Sequence, residues 1–275
     1  MKALISVDME GVSGIVHPSE TNPERYDYQR GRELMTADAN AVIAGVLDAD
    51  PTADVLVADA HGTFRNLLPE RLDRRARLVR GKPRALNMLA GLDAETDAAL
   101  FVGYHVRAGE GPGVLAHTMN GEILDVRVAG RSLGEIGLNA AMAGHLGVPV
   151  VLLSGDDAAC AEAADLIPEA ITVPVKEALG AAAAVTLHPE EARDRLRRAA
   201  ADAVTRRTEI PPLALTGPLD VEVDLAGTHT VDLATLVPGV SRAAGARTVA
   251  FTAPDYGTAY RLILLLAHLA TIRPA

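Results

Sequence analysis

Cysteine is almost missing from this chain of 275 residues, with Cys160 the single one. No intrachain disulfide and no Cys-x-x-Cys metal site can exist, so a disulfide scaffold and a thiolate-rich zinc site are both excluded. Cys160 sits in an Ala-rich helical stretch and reads as a small helix or core residue. Tryptophan is absent and aromatics reach only 3%, which leaves Ala, Val and Leu to fill the interior. Basic charge is in deficit, 26 Lys and Arg against 36 Asp and Glu, for a formal net charge of −10. That balance disfavours a nucleic-acid partner. The apolar stretch 262–269 contains His268 and is too short to span a bilayer. No signal-peptide pattern opens the chain, which meets acids by residue 8. A soluble cytoplasmic protein is the expectation. A hydrophobic content of 49% with 23% charged residues suits a folded domain with a substantial core.

Strand-like runs are expected at 3–7, 55–58, 99–102, 123–128, 148–153, 171–175, 219–225 and 248–252. Helical periodicity marks 30–47, a short 86–92, 133–146, 156–167, 189–208 and 255–272. Strands alternating with helices predict an α/β fold: a mainly parallel sheet sandwiched by helices, a three-layer αβα arrangement. Pro211-Pro212 and Gly217-Pro218 punctuate the later chain. The expected division is residues 1–200 as the catalytic α/β part and 201–275 as a smaller α+β portion.

The chemistry gathers where apolar strands stop. Leu4-Ile5-Ser6-Val7 ends in Asp8-Met9-Glu10-Gly11, two carboxylates with i, i+2 spacing. On a strand they share one face, and their repulsion calls for a compensating cation. Val55-Leu56-Val57-Ala58 delivers Asp59 and His61 with the same spacing, and Leu100-Phe101-Val102-Gly103-Tyr104 delivers His105. His117 follows twelve residues on, and Glu135 opens the helical segment after Leu133. In a parallel sheet these ends converge on one edge, where such sheets bind ligands. Mixed carboxylates and imidazoles suit zinc or another borderline transition metal better than magnesium or calcium. Two ions bridged by a carboxylate would use so many ligands economically, with Asp8 the natural bridge.

Plainer readings stand beside these. Glu135 could be a capping-box residue answering Ser132, and Asp59 a turn residue or a partner orienting His61. Asp156 and Asp157 read as helix caps, and His17, His145, His188, His229 and His268 as structural or surface residues. Gly11-Val12-Ser13-Gly14 fits neither phosphate-loop fingerprint.

With these blocks assembled, the chain resembles the zinc-dependent D-aminopeptidase family typified by the enzyme of a bacterial dipeptide-transport operon (DppA-like). The matching pieces are Ser6-Val7-Asp8-Met9-Glu10-Gly11, Asp59-Ala60-His61, Gly103-Tyr104-His105, Pro112 to Met119 and Gly134-Glu135-Ile136-Gly137-Leu138-Asn139-Ala140. The resemblance implies two Zn²⁺ per subunit held by Asp8, Glu10, His61, His105 and Glu135, and a catalytic His117 acting as nucleophile or proton-transfer group. It implies release of N-terminal D-residues, of the D-Ala type, from short peptides, and self-association into a ring-shaped homodecamer. Asn139, one turn beyond Glu135, is a candidate substrate contact or a structural hydrogen-bonding residue. The loop Arg107-Ala108-Gly109-Glu110-Gly111-Pro112 is one residue longer than in the type enzyme. Other classes on the same residues are a binuclear amide deacylase or phosphoesterase, with Arg107 the only nearby cation for a phosphate, and a non-catalytic peptide-binding protein linked to transport.

Overall fold

The computed structural model describes residues 1–243 and 245–273. Its frame begins with β1 (Lys2–Val7), a short α1 (Pro18–Thr21), the long α2 (Tyr28–Ala49), β2 (Asp54–Asp59), β3 (Arg77–Val79) and β4 (Ala98–Val102). A hairpin of β5 (Ile123–Val128) and β6 (Arg131–Ser132) leads into α3 (Glu135–His145), β7 (Val150–Asp156) and α4 (Asp157–Leu166). Then come β8 (Ile171–Gly180), β9 (Ala183–Thr186) and α5 (Pro189–Thr205). The chain closes through β10 (Leu219–Leu225), α6 (Thr228–Ala234), β11 (Ser241–Arg242), β12 (Thr248–Ala253) and α7 (Tyr256–Leu269).

Seven strands form one sheet in the order β3-β2-β1-β4-β7-β8-β9. All neighbours pair in parallel except the hairpin β8–β9. Both faces are covered, as near-continuous apolar strands require. Ala3, Ile5 and Val7 pack with Leu34 and Val42 of α2 and Leu196 of α5 in one core. Leu4 and Phe101 face a second core that holds Ile136 of α3, Val223 of β10 and Tyr260 of α7. The sheet runs outward from β1 to β3, then returns across β1 to β4. That reversal opens a crevice at the carboxyl ends of β1 and β4, the place where open α/β sheets take their ligands.

A second, antiparallel sheet has the order β11-β12-β10-β5-β6. It therefore joins residues 123–132 to residues 219–253, and β5 is not one of the parallel strands as the alternation suggested. The turn explains the difference. Ala129 and Gly130 both have positive φ, 50° and 79°, the two-residue geometry that closes a tight antiparallel hairpin. The expected helix at 86–92 shrinks to a single 3-10 turn, Asn87–Leu89. Asn87 has φ 48°, a left-handed conformation that ordinary helix cannot contain. Among the described residues no helix is long and apolar enough to cross a membrane.

Candidate metal centre

The end of β1 and the end of β4 are locked together by backbone. Asp8 N–H donates to Val102 O at 2.8 Å, and Gly11 N–H to Gly103 O at 2.8 Å. A Cβ at Gly11 would stand 1.9 Å from the Tyr104 carbonyl oxygen, and one at Gly103 would stand 2.5 Å from that of Asp8. Only glycine allows this approach. It brings Asp8, Glu10 and His105 into one cluster, with ligand-type atoms within 4.8 Å of one another.

His61 arrives from the end of β2. Its Nδ1 lies 3.0 Å from Glu10 Oε2 and 3.3 Å from Asp8 Oδ1, while Nε2 bonds the Thr21 carbonyl at 2.9 Å. His105 is held by Nδ1 on the Val106 carbonyl at 3.1 Å. Its Nε2 is buried without a hydrogen-bond partner, 3.4 Å from Glu135 Oε1 and 3.5 Å from Asp8 Oδ2. His117 repeats the device, with Nδ1 on the Leu115 carbonyl at 2.8 Å and Nε2 3.7 Å from Glu135 Oε1. Its ring stacks on His105 at 4.0 Å. In all three histidines a backbone carbonyl takes one N–H and leaves the other nitrogen facing carboxylates. This orients the second nitrogen and makes it the one bared when the ring loses a proton, as a metal ligand or a base requires.

Glu135 is not a capping-box residue. The helix α3 begins at Glu135 itself, with Gly134 as N-cap and no side-chain cap bond. Ser132 instead donates to Asp125. Glu135 Oε1 accepts the Met119 N–H at 2.6 Å. Leu115 and Met119 on either side of His117 both have positive φ, 55° and 64°. Strained backbone of this kind persists where the surroundings enforce it, and here it aims the Met119 N–H at Glu135.

Electrostatics reinforce the grouping. Burial and neighbouring Glu10 push Asp8 up to about 7. Burial works against charge on His105, yet Glu135 and Asp8 outweigh it and hold the imidazole up to about 10. His61 rises likewise, burial being outweighed by Glu10 and Asp8. Burial would raise Glu10 too, but His61 holds it well below the usual carboxylate range. Three buried acids thus borrow protons on histidines to balance their charge. A divalent cation would balance it directly, and the oxygen and nitrogen donors suit zinc.

Asn139 is not a substrate contact. It is fully buried, its amide on Tyr104 Oη and Met88 Sδ and its oxygen accepting from Tyr260 Oη at 2.7 Å. Asp59 does not orient His61. It accepts the N–H groups of Asn66 and Leu67 and shapes the loop after β2. Asp156 caps α4 through Ala159 N–H, whereas Asp157 accepts from Ala178 N–H in β8. Arg107 pairs with Glu110 and lines a separate cavity. Ser13 turns its N–H and hydroxyl to Asp38, so neither is free for an anion.

Two cations escaped the sequence reading. Lys176 of β8 is buried and donates to the carbonyls of Glu10, Val12 and Ile15, pinning the turn that carries Glu10. Burial pushes its ammonium down to about 8. A cavity of about 340 Å³ lies over the cluster, lined by Asp8, His61, His117 and Glu135 and also by Phe64 and Lys82. His268 of α7 joins this wall while bonding the Leu264 carbonyl.

A doubly wound sheet with a buried carboxylate–histidine cluster at its switch point defines a metallohydrolase-type scaffold, and residues 1–265 match the peptidase M55 family, described as D-aminopeptidase. The chain belongs to that family. Among characterised proteins it is similar to a D-aminopeptidase of Bacillus subtilis (strain 168), 37% identical over 270 residues that make up 98% of each chain. Among solved structures it is similar to the Zn-dependent D-aminopeptidase DppA from Bacillus subtilis, a self-compartmentalizing protease. That match has a TM-score of 0.96 at 36% identity and covers 100% of both chains.

Proposed function

We propose that this chain is a zinc-dependent aminopeptidase that removes D-configured N-terminal residues, of the D-Ala type, from short peptides. In this reading Asp8, Glu10, His61, His105 and Glu135 hold two zinc ions, and Asp8 is shared between them. The observation that carries it is the backbone-anchored rings of His61 and His105, whose remaining nitrogens face Asp8, Glu10 and Glu135. The family membership and the zinc dependence of the similar structure support the same assignment.

Bound zinc would supply Lewis acidity toward the scissile carbonyl and toward water. The protein's own part is positioning and proton transfer. Burial holds His117 below its ordinary pKa, which favours the neutral imidazole. With Nδ1–H on the Leu115 carbonyl, Nε2 is free to accept a proton and return it to the departing amine. A phosphoesterase reading loses the cation the sequence offered it, since Arg107 faces another cavity and pairs with Glu110.

We also infer self-association into a ring-shaped homodecamer. The similar structure is self-compartmentalizing, and β9 is an edge strand beside exposed Leu179 (65%) and Val185 (58%), apolar edge surface of the kind partners cover. The test of function is a panel of D- and L-alanyl substrates assayed with zinc and after chelation. Zinc-dependent release of D-Ala supports the reading, and equal turnover of L-alanyl substrates contradicts it.

A further inference from the structure

The cavity over the cluster carries charge of both signs in its wall. Asp8 and Glu135 line it, and apart from histidines Lys82 is the only cation among the described residues that do. Lys82 is exposed and has no ion-pair partner among the described residues. An aromatic ring stands beside it. The Lys82 Nζ stands 5.4 Å from the centre of the Phe64 ring, and the Arg84 guanidinium lies over the same ring at 4.1 Å. A cation beside an aromatic ring is attracted by the negative charge of its face. The segment beneath is tied down: Gly81 N–H donates to the Phe64 carbonyl at 2.6 Å, and Arg84 bonds the carbonyls of Asn87 and Asp59. Arg84 is thereby consumed by the loop, and the Lys82 ammonium is left available.

A peptide substrate is charged at two ends. Its amino terminus suits the carboxylates Asp8 and Glu135, and a short peptide carries its own carboxylate within about two residues, at most about 7 Å of extended chain. We propose that Lys82 receives the C-terminal carboxylate of the peptide substrate, which makes the enzyme selective for short peptides with a free C-terminus. This inference rests on the aminopeptidase reading above and adds to it a residue that selects the substrate class. C-terminally blocked peptides lose the contact because they carry no negative charge there, and longer ones because their carboxylate lies further from the amine.

The test compares kcat/KM for D-alanyl-D-alanine with that for its C-terminal amide, using zinc-loaded protein. One charge-assisted hydrogen bond from a lysine that stays partly hydrated predicts a preference of about tenfold for the free acid, expressed mainly in KM. In Lys82→Met the ratio should fall to about one, and in Lys82→Glu it should invert. Lys82→Arg should keep it. A ratio retained in Lys82→Met, or a wild type indifferent to the amide, overturns the inference and leaves the peptidase reading intact. Turnover of neither substrate by the zinc-loaded wild type overturns both. Lys82 is exposed, so the variants should fold, and their thermal unfolding is the check.

Discussion

Lys176→Met is the most revealing single change outside the ligand set. The ammonium has three N–H donors, and all three go to carbonyls: Glu10 at 2.6 Å, Val12 at 3.0 Å, and Ile15. Lys176 is 3% exposed, so water contributes little. Methionine keeps most of the stem volume and removes every donor. Losing three charge-assisted bonds costs about 1.5–3 kcal/mol each, or about 4–9 in all. Relief of the burial cost offsets part of this. That cost is visible in the ammonium, which burial pushes down to about 8, and amounts to about 3 kcal/mol. The net expectation is destabilisation by about 3 kcal/mol, with the turn from Glu10 to Ile15 loosened. Urea unfolding of the zinc-free variant measures the stability, and zinc analysis of the loaded variant measures the site. Weakened zinc retention should accompany the lost stability because Glu10 lies on that turn. A loss below about 1 kcal/mol with full zinc content would refute the reasoning.

His117→Ala should leave zinc content unchanged and lower kcat by roughly 10²–10⁴, the scale of a proton-transfer residue; loss of zinc would instead make His117 a ligand. Zinc affinity should rise with pH. In the zinc-free protein His105 holds its proton up to about 10 and Asp8 up to about 7, and each must release it to bind metal. Chelator competition should therefore show at least a roughly tenfold gain per pH unit between about 7 and 9, and a steeper dependence below about 7 where Asp8 adds a second proton. An affinity flat with pH would contradict that protonation pattern.

The sequence made the strand ends legible because apolar runs that stop in Asp8, Asp59 and His105 advertise themselves. Sheet membership was harder. The run 123–128 reads like any other strand, and only the Ala129-Gly130 turn distinguishes an antiparallel hairpin from a crossover. Glu135 has the spacing of a capping box from Ser132, and what decides against it is the Met119 N–H sixteen residues back. Asn139 lies one turn from Glu135 on the same helix, yet Tyr104 and Tyr260 enclose it. Lys176 and Lys82 carry no local signal at all. The first is a lone polar residue in a strand whose partners are backbone atoms 161 to 166 positions away, and the second is an ordinary exposed lysine until Phe64 folds beneath it.

The central claim is a two-zinc cluster with Asp8 shared between the ions, and metal stoichiometry tests it most directly. Purified, zinc-loaded protein should hold two equivalents per chain. Asp8→Ala should lose both and Glu10→Ala chiefly one. A single equivalent in the wild type, or an Asp8→Ala variant that keeps its full complement, would contradict the account.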